Sequence, residues 1–181
     1  YLADEAFRRQ GVRDGSRIAF MKAKGALFSS KPYEETLYDV VERKGIEVNL
    51  NTELTEIRPD AKEAVFKNLD TEESMTVPYD LLHAVPPMSA PDFIAQSPLA
   101  NEEGWVEVDA GTLQHTRYDN VFGIGDNSSL PTSKTGAAIR KQAPVLVDHL
   151  TATMHHTTPI NGTYNGYTSC PMITRVGRAM L

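Results

Sequence analysis

The chain has 181 residues with a formal charge of −6, 40% hydrophobic and 23% charged residues, and a single cysteine. That apolar content builds a core and excludes a disordered chain, and the length suits one domain better than two complete ones. An acidic balance without a basic run excludes nucleic-acid binding, and one cysteine excludes an internal disulfide framework or a cysteine-built metal site.

Tyr1 to Gln10 carries Leu2, Ala6 and Phe7 at helical spacing, with Gly11 as its stop. A helix already under way at Tyr1, with no initiating methionine, is the expected start of an excised piece. Gly15-Ser16 turns the chain into a short apolar strand, Arg17 to Met21. Pro32 then opens an amphipathic helix to Lys44, closed by Gly45, with Leu37, Val40 and Val41 as its buried stripe. Ile46 to Leu50 is a second strand, and the order strand, helix, strand predicts a right-handed parallel crossover. From Thr52 the period becomes alternating. Leu54 to Ile57, Ala64 to Lys67 and Met75 to Val77 are short strands joined by polar turns, the pattern of an antiparallel meander.

Leu81 to Val85 has the composition of a buried strand, and Pro86-Pro87 takes the chain out of the lobe, with a domain boundary expected between Pro86 and Pro98. His83 at that strand's end reads better as a satisfied core histidine than as a proton carrier. Beyond the boundary Trp105 to Val108 alternates, Val121 to Ile124 is apolar, and Thr135 to about His149 is helical with a kink expected at Pro144. His155-His156, adjacent on a helix, cannot face one metal ion and read as surface residues. No apolar stretch approaches the roughly 20 residues of a membrane span, so any membrane contact is expected to be peripheral.

The most informative stretch is Trp105 to Asp126, WVEVDAGTLQHTRYDNVFGIGD. Gly125 allows close approach, and Asp126 follows a predicted strand at the edge where open α/β sheets collect their ligands. From these residues alone two readings stand: a carboxylate that accepts hydrogen bonds from a cofactor's hydroxyls, or an ordinary turn residue. Taken alone, Cys170 reads more readily as a small buried hydrophobe than as a redox thiol, although Thr168 and Ser169 make its surroundings polar. No Gly-x-Gly-x-x-Gly turn occurs, and the loop Lys22 to Phe28 after the first strand holds only Gly25. NAD is therefore disfavoured.

The valine-aspartate pair, the threonine and glutamine that follow and VFGIGD at Val121 to Asp126 are similar to the second flavin-binding motif of the two-dinucleotide-domain flavoproteins. Leu130 to Thr135 (LPTSKT) and Gly166 to Pro171 (GYTSCP) resemble the matching region and the active-cysteine motif of the sulfide:quinone oxidoreductases, and Glu63 to Asn68 and Tyr79 to Pro91 extend the likeness. The fold class expected is α/β, in three parts. Residues 1–90 form a Rossmann-like, NAD-like lobe with a βαβ crossover and β-meander. Residues 91–158 are the C-terminal return of an FAD-binding Rossmann domain, and 159–181 start a redox-cysteine and quinone region.

The resemblance implies FAD as the cofactor of the intact protein, no metal, and a piece too incomplete to bind flavin or turn over alone. It implies that Asp126 holds the ribityl chain, with Gly125, Thr132, Ser133, Lys134 and Thr135 around the flavin. Thr132 to Thr135 would open the following helix, whose amides and Lys134 would favour the anionic edge of reduced flavin. Alternatively, Lys134 is a solvated lysine near a helix start. Cys170 would be the catalytic thiol, working as thiolate, with Tyr167 and Pro171 on the quinone side. The resemblance further implies sulfide, quinone and a sulfur acceptor as partners, and a homodimer is among the assemblies it allows. Sulfide would attack a bridge between two cysteines, the second expected before Tyr1, and amphipathic membrane-docking segments would follow Leu181. The expected location is the cytoplasmic side of a bacterial membrane or the mitochondrial inner membrane of a eukaryote. The alternatives are an NADH:quinone or NADH:disulfide reductase, weakened by the missing glycines, and a cofactor-less binding module.

Overall fold

The computed structural model describes residues 1–160 and 162–180, and the chain divides into two compact units. The first holds Tyr1–Val85 and Met172–Met180, the second Pro86–Pro171. The region expected at 159–181 is thus shared between the two units, and positions 161 and 181 of it lie outside the described residues.

In the first unit α1 (Leu2–Arg9) and a 3-10 turn (Arg13–Gly15) lead into β1 (Ile18–Met21), α2 (Lys31–Lys44) and β2 (Ile46–Asn49). β1 and β2 pair in parallel from Ile18↔Ile46 to Met21↔Asn49, as the strand, helix, strand order requires. Gly45 ends α2 in the left-handed region at φ 59, where a side chain would be strained. Leu37 and Val41 of α2 form a core with Leu27, against which Phe28, Ile46, Val48, Met172 and Met180 pack. The meander follows as β3 (Thr52–Arg58), β4 (Glu63–Asn68) and β5 (Ser74–Pro78), antiparallel in that order, with a register shift between Leu54 and Glu56. A hairpin, β6 (Met172–Arg175) and β7 (Arg178–Met180), completes this unit.

The residue that α1 buries most deeply is acidic. Leu2 is 49% exposed, whereas Asp4 is fully buried and receives Arg8, Arg13 and Lys44 at 3.0, 2.8 and 2.8 Å. Arg13 also donates to the carbonyls of Lys44 and Gly45, so one carboxylate ties α1 to the C-terminal end of α2. A buried carboxylate is tolerated only when its charge is matched, and here three cations match it.

Leu81 to Val85 is not a strand. It forms no ladder, Leu81 and Val85 are 72% and 77% exposed, and His83 is exposed as well, which overturns the reading of a core histidine. A strand is built by the partner that takes its backbone groups, and no such partner stands beside this run among the described residues.

In the second unit α3 (Asp92–Ala95) precedes a stretch of turns and single bridges, and α4 (Gly136–His155) follows. Val106 and Val108 are buried as the alternation of Trp105 to Val108 predicts, yet they pair only through isolated bridges to Ala100, Ser128 and His115. Val121 to Ile124 is likewise joined by one bridge, Gln114↔Phe122, and is no regular strand. The core gathers Ala90, Ile94, Val106, Val108, Leu113, Leu130, Val145 and Tyr164. Gly123 packs against it so closely that an added Cβ would lie 2.9 Å from Val108 Cγ1. Helix α4 runs on through Pro144 beyond the expected end, to an exposed His155 and a left-handed His156 at φ 54.

Candidate functional site

The chain leaves the extended Val121 to Ile124 segment through a 3-10 turn, Gly125–Asn127. Gly125 holds φ +74, which favours glycine, and a Cβ there would meet Ile139 Cδ1 at 3.2 Å, so that side chain would have to give by a few tenths of an ångström. Its N–H donates to Oε1 of Gln142 at 3.0 Å, and its carbonyl accepts from Ser128 Oγ at 2.7 Å. Ser128 and Gln142 are buried to 0% and 2% exposure, which fixes the turn against α4. Asp126, projecting from this pinned turn, is exposed. It therefore lies in a turn rather than at a strand end, a correction that follows from the missing ladder.

Thr132, Ser133 and Lys134 precede the helix instead of opening it. Thr135 is the N-cap, its Oγ1 accepting from the N–H of Ala138 at 3.1 Å, and α4 starts at Gly136. Lys134 is not a freely solvated lysine: its Nζ donates to the Ser128 carbonyl at 2.8 Å and stands 3.9 Å from the Trp105 ring centroid. Burial lowers its pKa, against the opposing pull of Asp126 and Glu103.

The segment from Gly166 to Cys170 is fastened to the same place. Thr168 Oγ1 lies 2.9 Å from Thr135 Oγ1 and donates to the Ser133 carbonyl at 3.1 Å. Tyr164 OH donates to the Tyr167 carbonyl at 2.5 Å, and Lys141 of α4 stands 5.9 Å from the Tyr167 ring centroid. Cys170 is exposed, two residues beyond the Thr168 anchor, and its Cα is thus within about 7 Å of that residue's Cα. Pro171 is exposed beside it.

Two hollows border this arrangement. One, of about 10 Å³, is lined by Gly125, Ser128, Lys134, Thr135 and Gln142 among others, and is far smaller than the roughly 300 Å³ at which ligand pockets begin. The other, of about 330 Å³, lies between Gly111, Pro131, Thr132, Tyr164 and Gly166. Gly125, Asp126, Thr132 to Thr135, Tyr167 and Cys170 therefore belong to one region around the start of α4, while His83 belongs to the first unit. Sequence reasoning missed Gln142, Ser128 and Trp105. Gln142 had a signal: it is the polar member of the buried stripe Ala138, Gln142, Val145, Ala152, and a buried amide side chain needs a partner. Among the described residues no group of three or more His, Cys, Asp or Glu could hold a metal ion, and no helix is long and apolar enough to cross a membrane.

No family model matches the chain. Over its whole length it is 45% identical to the mitochondrial sulfide:quinone oxidoreductase of Mus musculus and 45% identical to that of Dictyostelium discoideum, and it spans about 40% of the length of each. Among solved structures it resembles a chain of the Tetrahymena thermophila mitochondrial ATP synthase (TM-score 0.81, 28% identity, covering 97% of this chain and 43% of that one). It also shares the fold of the sulfide:quinone oxidoreductase of Aquifex aeolicus (TM-score 0.76, 18% identity, covering 86% of this chain and 39% of that one). With whole-chain identity at that level and the fold in common, the chain belongs to the sulfide:quinone oxidoreductase family.

Proposed function

We propose that the chain serves the oxidation of sulfide, with FAD carrying the electrons to a quinone. The first unit corresponds in this reading to the NAD-like lobe with its meander, the second to the return of the FAD-binding domain. The observation that carries the proposal is the anchoring of Thr168 on Thr135 and Ser133, which ties the segment bearing the chain's one thiol, two residues on, to the start of α4.

The residues present fit the flavin. Oδ1 of Asn127, next to Asp126, is buried with no hydrogen-bond partner among the described residues, an acceptor that a hydroxyl-bearing group would satisfy. A Cβ added to Gly136 would meet nothing within 4 Å, so space is open at the first turn of α4. Bound there, FAD supplies two-electron acceptance from a thiolate and delivery to quinone. Asp126 would accept hydrogen bonds from the ribityl hydroxyls, with Gly125 keeping the turn tight. The dipole of α4 and the ammonium of Lys134 would favour negative charge at the pyrimidine edge, near Thr132, Ser133 and Thr135. Because burial depresses the Lys134 pKa, an anionic neighbour would help hold its proton.

Cys170 is the thiol of the sulfide reaction. The sequence has one cysteine, so its sulfur partner comes from outside these 181 residues. HS⁻ adds to one sulfur of the bridge as the S–S bond breaks, the other sulfur leaves as thiolate, and the bound sulfane sulfur passes to an acceptor. Tyr167 and Pro171, exposed beside Cys170, would face the quinone. His83 carries no step in this reading. The setting proposed is mitochondrial, as in the relatives' names, at the inner-membrane surface that the resemblance implies.

The test is an anaerobic titration of flavin absorbance in a polypeptide of the relatives' full length that carries this chain. Sulfide is expected to bleach the flavin and NADH to leave it oxidised, and Cys170→Ser should abolish bleaching by sulfide while keeping the flavin bound. Bleaching by NADH, or sulfide bleaching that survives Cys170→Ser, would overturn the assignment.

A further inference from the structure

Trp105 is the only tryptophan of the chain, and both of its backbone groups are fixed. Its N–H donates to Asn101 Oδ1 at 2.9 Å, and its carbonyl accepts from the Asn101 N–H at 2.8 Å. The side chain packs against the core of the second unit, so the indole is a held surface. Val106, next along the chain, ties this frame to the candidate site. Its N–H donates to the Asn127 carbonyl at 2.8 Å, and its carbonyl accepts from the Ser129 N–H at 2.9 Å. Lys134 lies on this surface, with Nζ 3.9 Å from the Trp105 ring centroid and donating to the Ser128 carbonyl at 2.8 Å. An ammonium carries three N–H donors. One is spent on Ser128, the π cloud of Trp105 takes one side of the charge, and among the described residues no second acceptor engages Lys134. The hollow that Lys134 lines with Gly125, Ser128, Thr135 and Gln142, about 10 Å³, has room for one water-sized atom and not for a ring.

We propose that Trp105 is a positioning residue: its indole face and the Ser128 carbonyl together hold the Lys134 ammonium so that one N–H is left for a single anionic oxygen on the edge of the flavin. The inference rests on the flavin reading of the second unit and deepens it. A lysine has a long flexible stem, and near a helix start the dipole disfavours its charge, so without a platform the ammonium would swing out to water. Asp126 and Glu103 attract it only at longer range, since neither makes an ion pair with it among the described residues. Trp105 touches no reacting atom in this scheme and acts through Lys134 alone.

The test is a double-mutant cycle on the flavin midpoint potential, in a polypeptide of the relatives' full length that carries this chain. Lys134→Met should lower the ratio of reduced to oxidised flavin by about tenfold, or about 30 mV for two electrons, as for one hydrogen bond to a charged group. Trp105→Leu should move the potential in the same direction, and the double variant should fall no further than Lys134→Met alone. Trp105→Phe keeps a ring against the core; it should show a smaller fall and carries the test if Trp105→Leu fails to fold. A second reading needs no flavin: the Lys134 ε-methylene protons, shifted upfield by the ring they face, should return to the ordinary lysine position in Trp105→Leu. Additive falls in the double variant, an unchanged potential in Trp105→Leu, or unshifted Lys134 protons in the wild type would each overturn the proposal. An unchanged potential in Lys134→Met would strike the flavin role of Lys134 and this proposal with it, while bleaching by sulfide and its loss in Cys170→Ser are read separately.

Discussion

Asp4 shows how far one side chain can depart from the pattern around it. A buried carboxylate would ordinarily rise in pKa, but the hydrogen bonds from Lys44 and Arg13 and the nearby charges of Lys44 and Arg8 outweigh burial and bring it down to about 2 from the usual 3.8. A depressed folded-state pKa contributes stability above the unfolded value, here about 2 kcal/mol, and that contribution is lost as pH falls from about 4 towards 2. Asp4→Asn should cost about 3 kcal/mol at neutral pH, because Arg13 and Lys44 keep their charges in a largely buried setting without the carboxylate. Urea unfolding followed by circular dichroism checks both statements: the stability gap between wild type and variant should narrow between pH 4 and pH 2. A gap that stays constant over that range would contradict the charge argument.

At the scale of elements, α2 and its parallel crossover were legible because Pro32, the Leu37, Val40, Val41 stripe and Gly45 are local signals that agree with the packing. The meander was legible for the same reason, its period of two matching the observed ladders. The runs at Leu81 to Val85 and Val121 to Ile124 read as strands by composition, but apolar composition does not supply the neighbour that a ladder needs. Similarly, the spacing of Leu2, Ala6 and Phe7 marks α1 as a helix but not what it buries, since nothing in an eight-residue window reveals that Arg13 and Lys44 converge on Asp4. Most of the candidate site was named from its motifs, while the residues that hold it, Gln142 and Ser128, escaped because their partners are backbone atoms of Gly125.

The start of α4 yields a prediction at this same scale. Thr135 both caps the helix and meets Thr168, so Thr135→Ala should cost about 1–2 kcal/mol through the lost cap and speed amide exchange in the first turn of α4 and from Gly166 to Cys170. Thr135→Ser keeps the hydroxyl and should restore most of both. Hydrogen exchange read residue by residue makes the comparison, and unaltered protection of the Gly166 to Cys170 amides in Thr135→Ala would remove Thr135 as their anchor.

For the whole molecule, two units with separate cores divide the labour, and the second alone holds the residues assigned to flavin and sulfide chemistry. The family spans more polypeptide than this chain, which matches about 40% of its curated relatives' length. The proposed function therefore rests on the second unit, where Cys170 and the Gly125–Asn127 turn are proposed to converge on the start of α4. The single cysteine allows a direct measurement, a nitroxide attached to Cys170 and the broadening of amide resonances read across the second unit. Strong broadening is expected at Gly125 to Asn127 and at Thr135 to Ala138. Sharp resonances at those positions, with broadening elsewhere in the unit, would contradict it.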